Sequence, residues 1–137
     1  MATIKSFTDL SQSKKLAEIL PLESADMKWF FWKEEIDAPK TPTFGYSKAV
    51  AESYKDTEAV YLACWSLAAL YGILPNNKKE STTLSKGGWK IESIEYLDNW
   101  WCEYEDESHT KDFSVSADNP VDACYEVIIK LYELKML

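Results

Sequence analysis

The sequence predicts an α+β fold: an antiparallel meander of about four strands plus an aromatic N-terminal strand, packed against N-terminal, central and C-terminal helices. Three observations carry this. The run Asn119-Pro120-Val121-Asp122-Ala123-Cys124 opens an apolar, helical stretch to Leu137. Asn119 supplies a capping oxygen, Pro120 sits where a missing N–H costs nothing, and Asp122 lies near the positive end of the helix. From Lys78 onward the apolar period changes from helical to alternating. Finally, 137 residues with 46% hydrophobic and 14% aromatic content suit one domain with a true core and exclude a disordered chain.

Each element follows from local signals. Thr8 is the expected cap of a first helix, with Leu10, Leu16, Ala17, Ile19 and Leu20 on its apolar side. Pro21 stops it, and 22–27 connects. Lys28-Trp29-Phe30-Phe31-Trp32-Lys33 places four aromatics between lysines, as in a strand covered on both faces. Residues 34–43, with Pro39 and Pro42, read as a loop, and Tyr46 to Tyr54 as a short helix. The run 60–65 is apolar without a breaker. Ser66 is the favoured start of the central helix, although a start several residues earlier also fits; Pro75 ends it.

The meander begins with Thr82–Ser85 and turns at Lys86-Gly87-Gly88. In the next strand Ile94 and Tyr96 break the parity of Trp89 and Ile91, which predicts a bulge or a bend near Ser93. Residues 97–99 turn the chain. Trp100, Cys102 and Tyr104 then share one face, 105–111 form an acidic loop, and Phe113 and Val115 point inward from the last strand. No internal repeat or linker divides the chain.

Charge narrows the functions. The net charge is −8, and all fifteen basic residues are lysine. Arginine is the usual tool for phosphate and guanine, so its absence argues against a nucleic-acid partner. Met1 to Ser6 has no apolar signal core, and no run approaches a membrane span. Cys64, Cys102 and Cys124 are odd in number and form no CxxC pair, as expected of reduced thiols in a cytoplasmic protein.

No chemical motif stands out, so no catalytic residue, cofactor or metal is expected. His109 is the single histidine and has no adjacent cysteine with which to build a zinc site. Glu103, Glu105, Asp106, Glu107 and Asp112 lack the spacing of a calcium loop and read as a charged hairpin loop that protects a sheet edge. The four glycines form no phosphate-cradling loop.

Three stretches together carry a resemblance. They are Gln12 to Met27, Cys64-Trp65-Ser66-Leu67-Ala68-Ala69-Leu70 ending at Leu74-Pro75, and Asn119 to Cys124 with Lys130-Leu131-Tyr132-Glu133-Leu134. In these blocks the chain resembles a group of small acidic proteins of gut-dwelling anaerobic bacteria, their phages and mobile elements. That group carries no assigned activity, cofactor or functional residue. The resemblance therefore implies a setting, the bacterial cytoplasm with a phage connection, and no mechanism. The chain departs from the group's pattern in its polar stretch at 76–86 and in Trp100-Trp101.

Two sets of residues remain as candidates. Trp100 and Trp101 alternate to opposite faces, so one of them looks away from the helix-covered layer. With Tyr104 they form the expected surface for a protein partner or for self-association. Asp26, Trp29 and Trp32 form a candidate pocket for a small ligand, since Asp26 lies between a helix end and an aromatic strand. The leading expectation is a non-enzymatic interaction protein of phage or mobile-element type. A small-ligand binder comes next, then an enzyme working through carboxylates, then an acidic DNA-mimicking decoy.

Overall fold

The computed structural model describes residues 5–38, 40–74, 89–94, 99–105, 112–135 and 137. It has the α+β class, with helices and antiparallel sheets. Contacts group into two compact units, Phe7–Ala69 and Met1–Ser6 with Leu70–Leu137. The expected strand Thr82–Ser85, its glycine turn, Asp106, Glu107 and His109 lie outside the described residues.

The Phe7–Ala69 unit is built on helix α1 (Leu10–Ile19) and strands β1 (Met27–Trp32), β2 (Thr43–Phe44) and β3 (Ala59–Cys64), with the short helix α2 (Lys48–Ser53) between β2 and β3. The sheet order is β2-β1-β3, antiparallel throughout. Met27, Trp29, Phe31 and Cys64 form the buried cluster, with Phe7, Leu10, Val60 and Leu62 against it.

The first helix is capped by Asp9, not Thr8. The Gln12 N–H donates to Asp9 at 2.8 Å and the Gln12 side chain accepts from the Asp9 N–H at 3.1 Å, a complete capping box. Thr8 is fully buried, and its hydroxyl accepts from the Trp65 N–H at 3.2 Å. A tertiary partner thus claims the hydroxyl that the sequence offers to the helix.

β1 also departs from expectation. Its residues alternate between buried and open, so only one face is covered: Met27, Trp29 and Phe31 are buried, whereas Phe30 and Trp32 are 42% and 44% exposed. The register sets Phe30 opposite Tyr61 and Trp29 opposite Leu62, which carries the same division across to β3. Between the strands, Ser47 caps α2 through the Val50 N–H at 3.3 Å.

Helix α3 (Leu67–Ile73) starts just after Ser66, whose hydroxyl accepts from the Ala69 N–H at 3.2 Å. The other unit contains strands β4 (Trp89–Ile94), β5 (Asn99–Glu105) and β6 (Asp112–Ala117) in meander order, and helix α4 (Pro120–Glu133) packed on β5 and β6. β4 and β5 pair without interruption from Trp89↔Tyr104 to Ile94↔Asn99, so no bulge interrupts the ladder at Ser93 among the described residues, and Tyr96 lies outside them. α4 begins as its sequence requires: Asn119 accepts from the Asp122 N–H at 2.8 Å, and Pro120 occupies the first turn. Its inner side buries Val121, Cys124, Val127, Ile128 and Leu131.

Candidate functional site

The outer face of the β2-β1-β3 sheet is the most distinctive surface among the described residues. β1 places Phe30 and Trp32 there by simple alternation, and β3 adds Tyr61 in register with Phe30. The segment around α2 brings two more rings. Tyr46 precedes the helix and lies 5.5 Å from Tyr61, ring centre to ring centre. Tyr54 ends the helix, 5.1 Å from Phe30 and 6.1 Å from Tyr61, with the two tyrosine planes 16° apart. Phe30 and Trp32 meet edge to face at 6.0 Å. The Ser47 N–H donates to the Tyr61 hydroxyl at 3.1 Å, tying the β2–α2 connection to β3.

These rings form one continuous cluster, half-buried at Tyr46, Tyr54 and Tyr61 and open at Phe30 and Trp32. Burial, then the nearby Tyr61, hold the Tyr46 phenol above its ordinary pKa, so it stays a neutral donor at physiological pH. The Lys28 ammonium lies 5.7 Å over the Tyr61 ring. The cluster contains no nucleophile–base pair. Its chemistry is that of contact: flat apolar faces, phenol hydroxyls and an indole N–H.

The structure separates the residues expected to form a small-ligand pocket. Trp29 is buried in the core and its indole N–H donates to Ser13 at 3.1 Å, whereas Trp32 belongs to the opposite face. Asp26 faces neither; its carboxylate accepts from the Ser66 N–H at 2.9 Å and from the Ser66 hydroxyl. A shallow concavity of about 380 Å³ does include Trp29, with Leu10, Ile36 and Lys40, but Asp26 and Trp32 are not on its wall. Of the three, Trp32 alone reaches the aromatic cluster.

Trp100 and Trp101 lie on opposite faces of β5, and both are half-buried. Trp100 shares the side of Cys102, which is fully buried beneath α4 with its sulfur 3.8 Å from that of Cys124. Trp101 lies on the other face, beside the open Ser116, and its indole nitrogen is buried without a hydrogen-bond partner among the described residues. Tyr104 occupies the register position between Trp89 and Phe113. The three therefore do not share one face. Glu103 is half-buried in β5, where Glu105 pairs with Asp112 of β6.

Phe30, Tyr46, Tyr54 and Tyr61 are absent from the expected sets. The alternation of 27–32 already places Phe30 with Trp32, but the tyrosines join only through the β1–β3 pairing. Among the described residues no group of three His, Cys, Asp or Glu side chains is placed to hold a metal ion, and no helix is long and apolar enough to cross a membrane. No protein-family model, curated protein or solved structure matches this chain.

Proposed function

We propose that this chain is a non-enzymatic protein-interaction module that docks a partner through the aromatic outer face formed by Phe30, Trp32, Tyr46, Tyr54 and Tyr61. One observation carries the reading: Phe30 and Trp32 stand open to solvent on a face backed by three further rings. Exposed aromatic clusters of this kind are where binding energy concentrates, because rings offer large contact area at small entropic cost. The resemblance in the three sequence blocks supports a bacterial cytoplasmic setting of phage or mobile-element type. Trp101, on the β5 face away from α4, is a second contact candidate.

The test is selection from a random peptide display library on the intact protein, with counter-selection on a Phe30→Ser/Trp32→Ser variant, together with the solution mass of both proteins. The reading expects ligands, or self-association, that disappear with the two rings. Absence of both ring-dependent peptides and ring-dependent self-association would refute it.

A further inference from the structure

We propose that the aromatic outer face takes one kind of partner segment: an extended, proline-rich stretch with lysine or arginine at the end that lies over Trp32. The proposal rests on the interaction-module reading and names the partner chemistry that reading leaves open.

The backbone beneath the face narrows the choice first. β1 is the central strand of its sheet, paired with β2 on one side and β3 on the other. It pairs with β3 from Met27 to Trp32 and with β2 at Met27 and Lys28, and this ladder runs in the plane of the sheet, so a segment lying across the ring face meets side chains and not ladder groups. Affinity must come from ring faces and their polar tips. Those tips are phenol hydroxyls on Tyr46, Tyr54 and Tyr61 and the indole N–H of Trp32, groups that donate to carbonyls. A polyproline II strand matches this supply: it presents carbonyls, lacks N–H groups at proline, packs its rings against aromatic faces and is already ordered before binding.

Length agrees. From Trp32 to Phe30, Tyr61 and Tyr46 the ring centres step by 6.0, 6.2 and 5.5 Å. Such a row is at most about 18 Å long, the span of about six polyproline II residues at ~3.1 Å each.

Charge sets the direction. The Lys33 N–H donates to the Glu58 carbonyl at 2.8 Å, which brings two exposed turns together beside Trp32. These turns carry Glu34, Glu35, Asp37, Asp56 and Glu58 against Lys33 and Lys40, the latter donating to the Ile36 and Ala38 carbonyls, while Lys55 is paired with Glu52 at 3.6 Å. At the other end of β1 the charge is Lys28, over Tyr61. A basic group on the segment is therefore disfavoured at the Lys28 end and favoured at the Trp32 end, and the net charge of −8 attracts a basic partner in general.

The experiment adds a defined probe to the display selection. A fluorescein-labelled synthetic peptide of six prolines and leucines ending in two arginines is titrated into the intact protein and followed by polarisation. The same peptide ending in two glutamates is the control. The expected result is saturable binding of the arginine form, weakened about tenfold by Phe30→Ser or Trp32→Ser. Glu34→Lys with Glu35→Lys is expected to invert the preference in favour of the glutamate peptide. These acids are exposed, so that variant stays informative if a ring variant folds poorly. Selection of ring-dependent peptides of another class, or ring-dependent self-association in place of peptide binding, overturns this proposal and leaves the interaction-module reading standing. Absence of any ring-dependent ligand overturns both.

Discussion

The carboxylate of Asp26 holds both the backbone N–H and the side-chain hydroxyl of Ser66, a residue 40 positions away. Ser66 in turn caps α3 by accepting from the Ala69 N–H. One carboxylate thus secures a helix start from the strand entrance of β1, while the Asp26 carbonyl accepts from the Gly45 N–H at 2.8 Å. Gly45 has a φ of +90°, which suits glycine at that turn.

Asp26→Ala is therefore expected to lower unfolding free energy by about 1–3 kcal/mol, the cost of orphaning a part-buried N–H and hydroxyl. Ser66→Ala removes the cap as well and is expected to cost ~1–2 kcal/mol. Because both act on one network, the double variant should cost less than the sum of the two. Urea denaturation of the four proteins measures the cycle, and strict additivity would contradict the linkage.

Tyr61→Phe tests the tie between β3 and the segment before α2. Only the hydroxyl that accepts from the Ser47 N–H is lost, so the stability cost should be about 0.5–1.5 kcal/mol. Hydrogen exchange at the Ser47 amide should rise, while protection within β1 and β3 falls only by the global change. Unchanged exchange at Ser47 would mean the bond does not persist in solution.

Some of this was readable before the structure, and the reason divides by range. Asn119, Pro120 and Asp122 act on each other within four positions, so α4 and its cap are written locally, and Ser66 is legible for the same reason. Thr8 and Asp9 are both good caps, and local rules cannot choose between them. The choice is made by Trp65, 57 positions from Thr8. The run Trp29–Trp32 is apolar on both faces and Lys28 alone marks the outer side, so four successive rings suggest coverage where there is none. Tyr46, Tyr54 and Tyr61 join the aromatic face through strand pairing and ring stacking, which no spacing in the chain announces.

Cys102 and Cys124 form the buried sulfur pair of the β5–α4 packing. The hydrogen bond with Cys102, then burial, raise the Cys124 thiol far above its ordinary range; burial likewise raises Cys64 despite bonds from Thr8 and Ser13. A thiol whose folded pKa exceeds its unfolded value binds its proton more tightly in the folded state. Its contribution to stability is then full below the unfolded pKa of about 8.5 and is lost as pH rises beyond that. Stability is expected to fall from pH ~8.5 upward, and Cys124→Ala to flatten that slope while costing stability at neutral pH. Urea midpoints measured from pH 7 to 10 give the answer. A pH-independent midpoint in the parent protein would contradict it.

The strongest test of the core lies in Ser13. This fully buried serine shares a 2.8 Å hydrogen bond with Thr8 and accepts the indole N–H of Trp29 at 3.1 Å. Thr8 in turn lies 3.6 Å from the Cys64 sulfur, whose thiol donates to the Thr8 carbonyl at 3.4 Å. α1, β1 and β3 are thereby joined through one buried polar chain, where each lost partner costs more than a bond in water would. Ser13→Ala removes few atoms and suits a helix better, so propensity and volume together favour the variant slightly. The orphaned Trp29 N–H opposes this by about 1–3 kcal/mol, and that term is the larger. Net destabilisation is therefore expected from a change that helix propensity alone would score as an improvement. Trp29→Phe in the Ser13→Ala background removes the orphaned donor, so the two changes should partly compensate in a thermal or urea cycle. If Ser13→Ala instead stabilises the protein, the polar chain contributes nothing and the three elements are held by apolar packing alone.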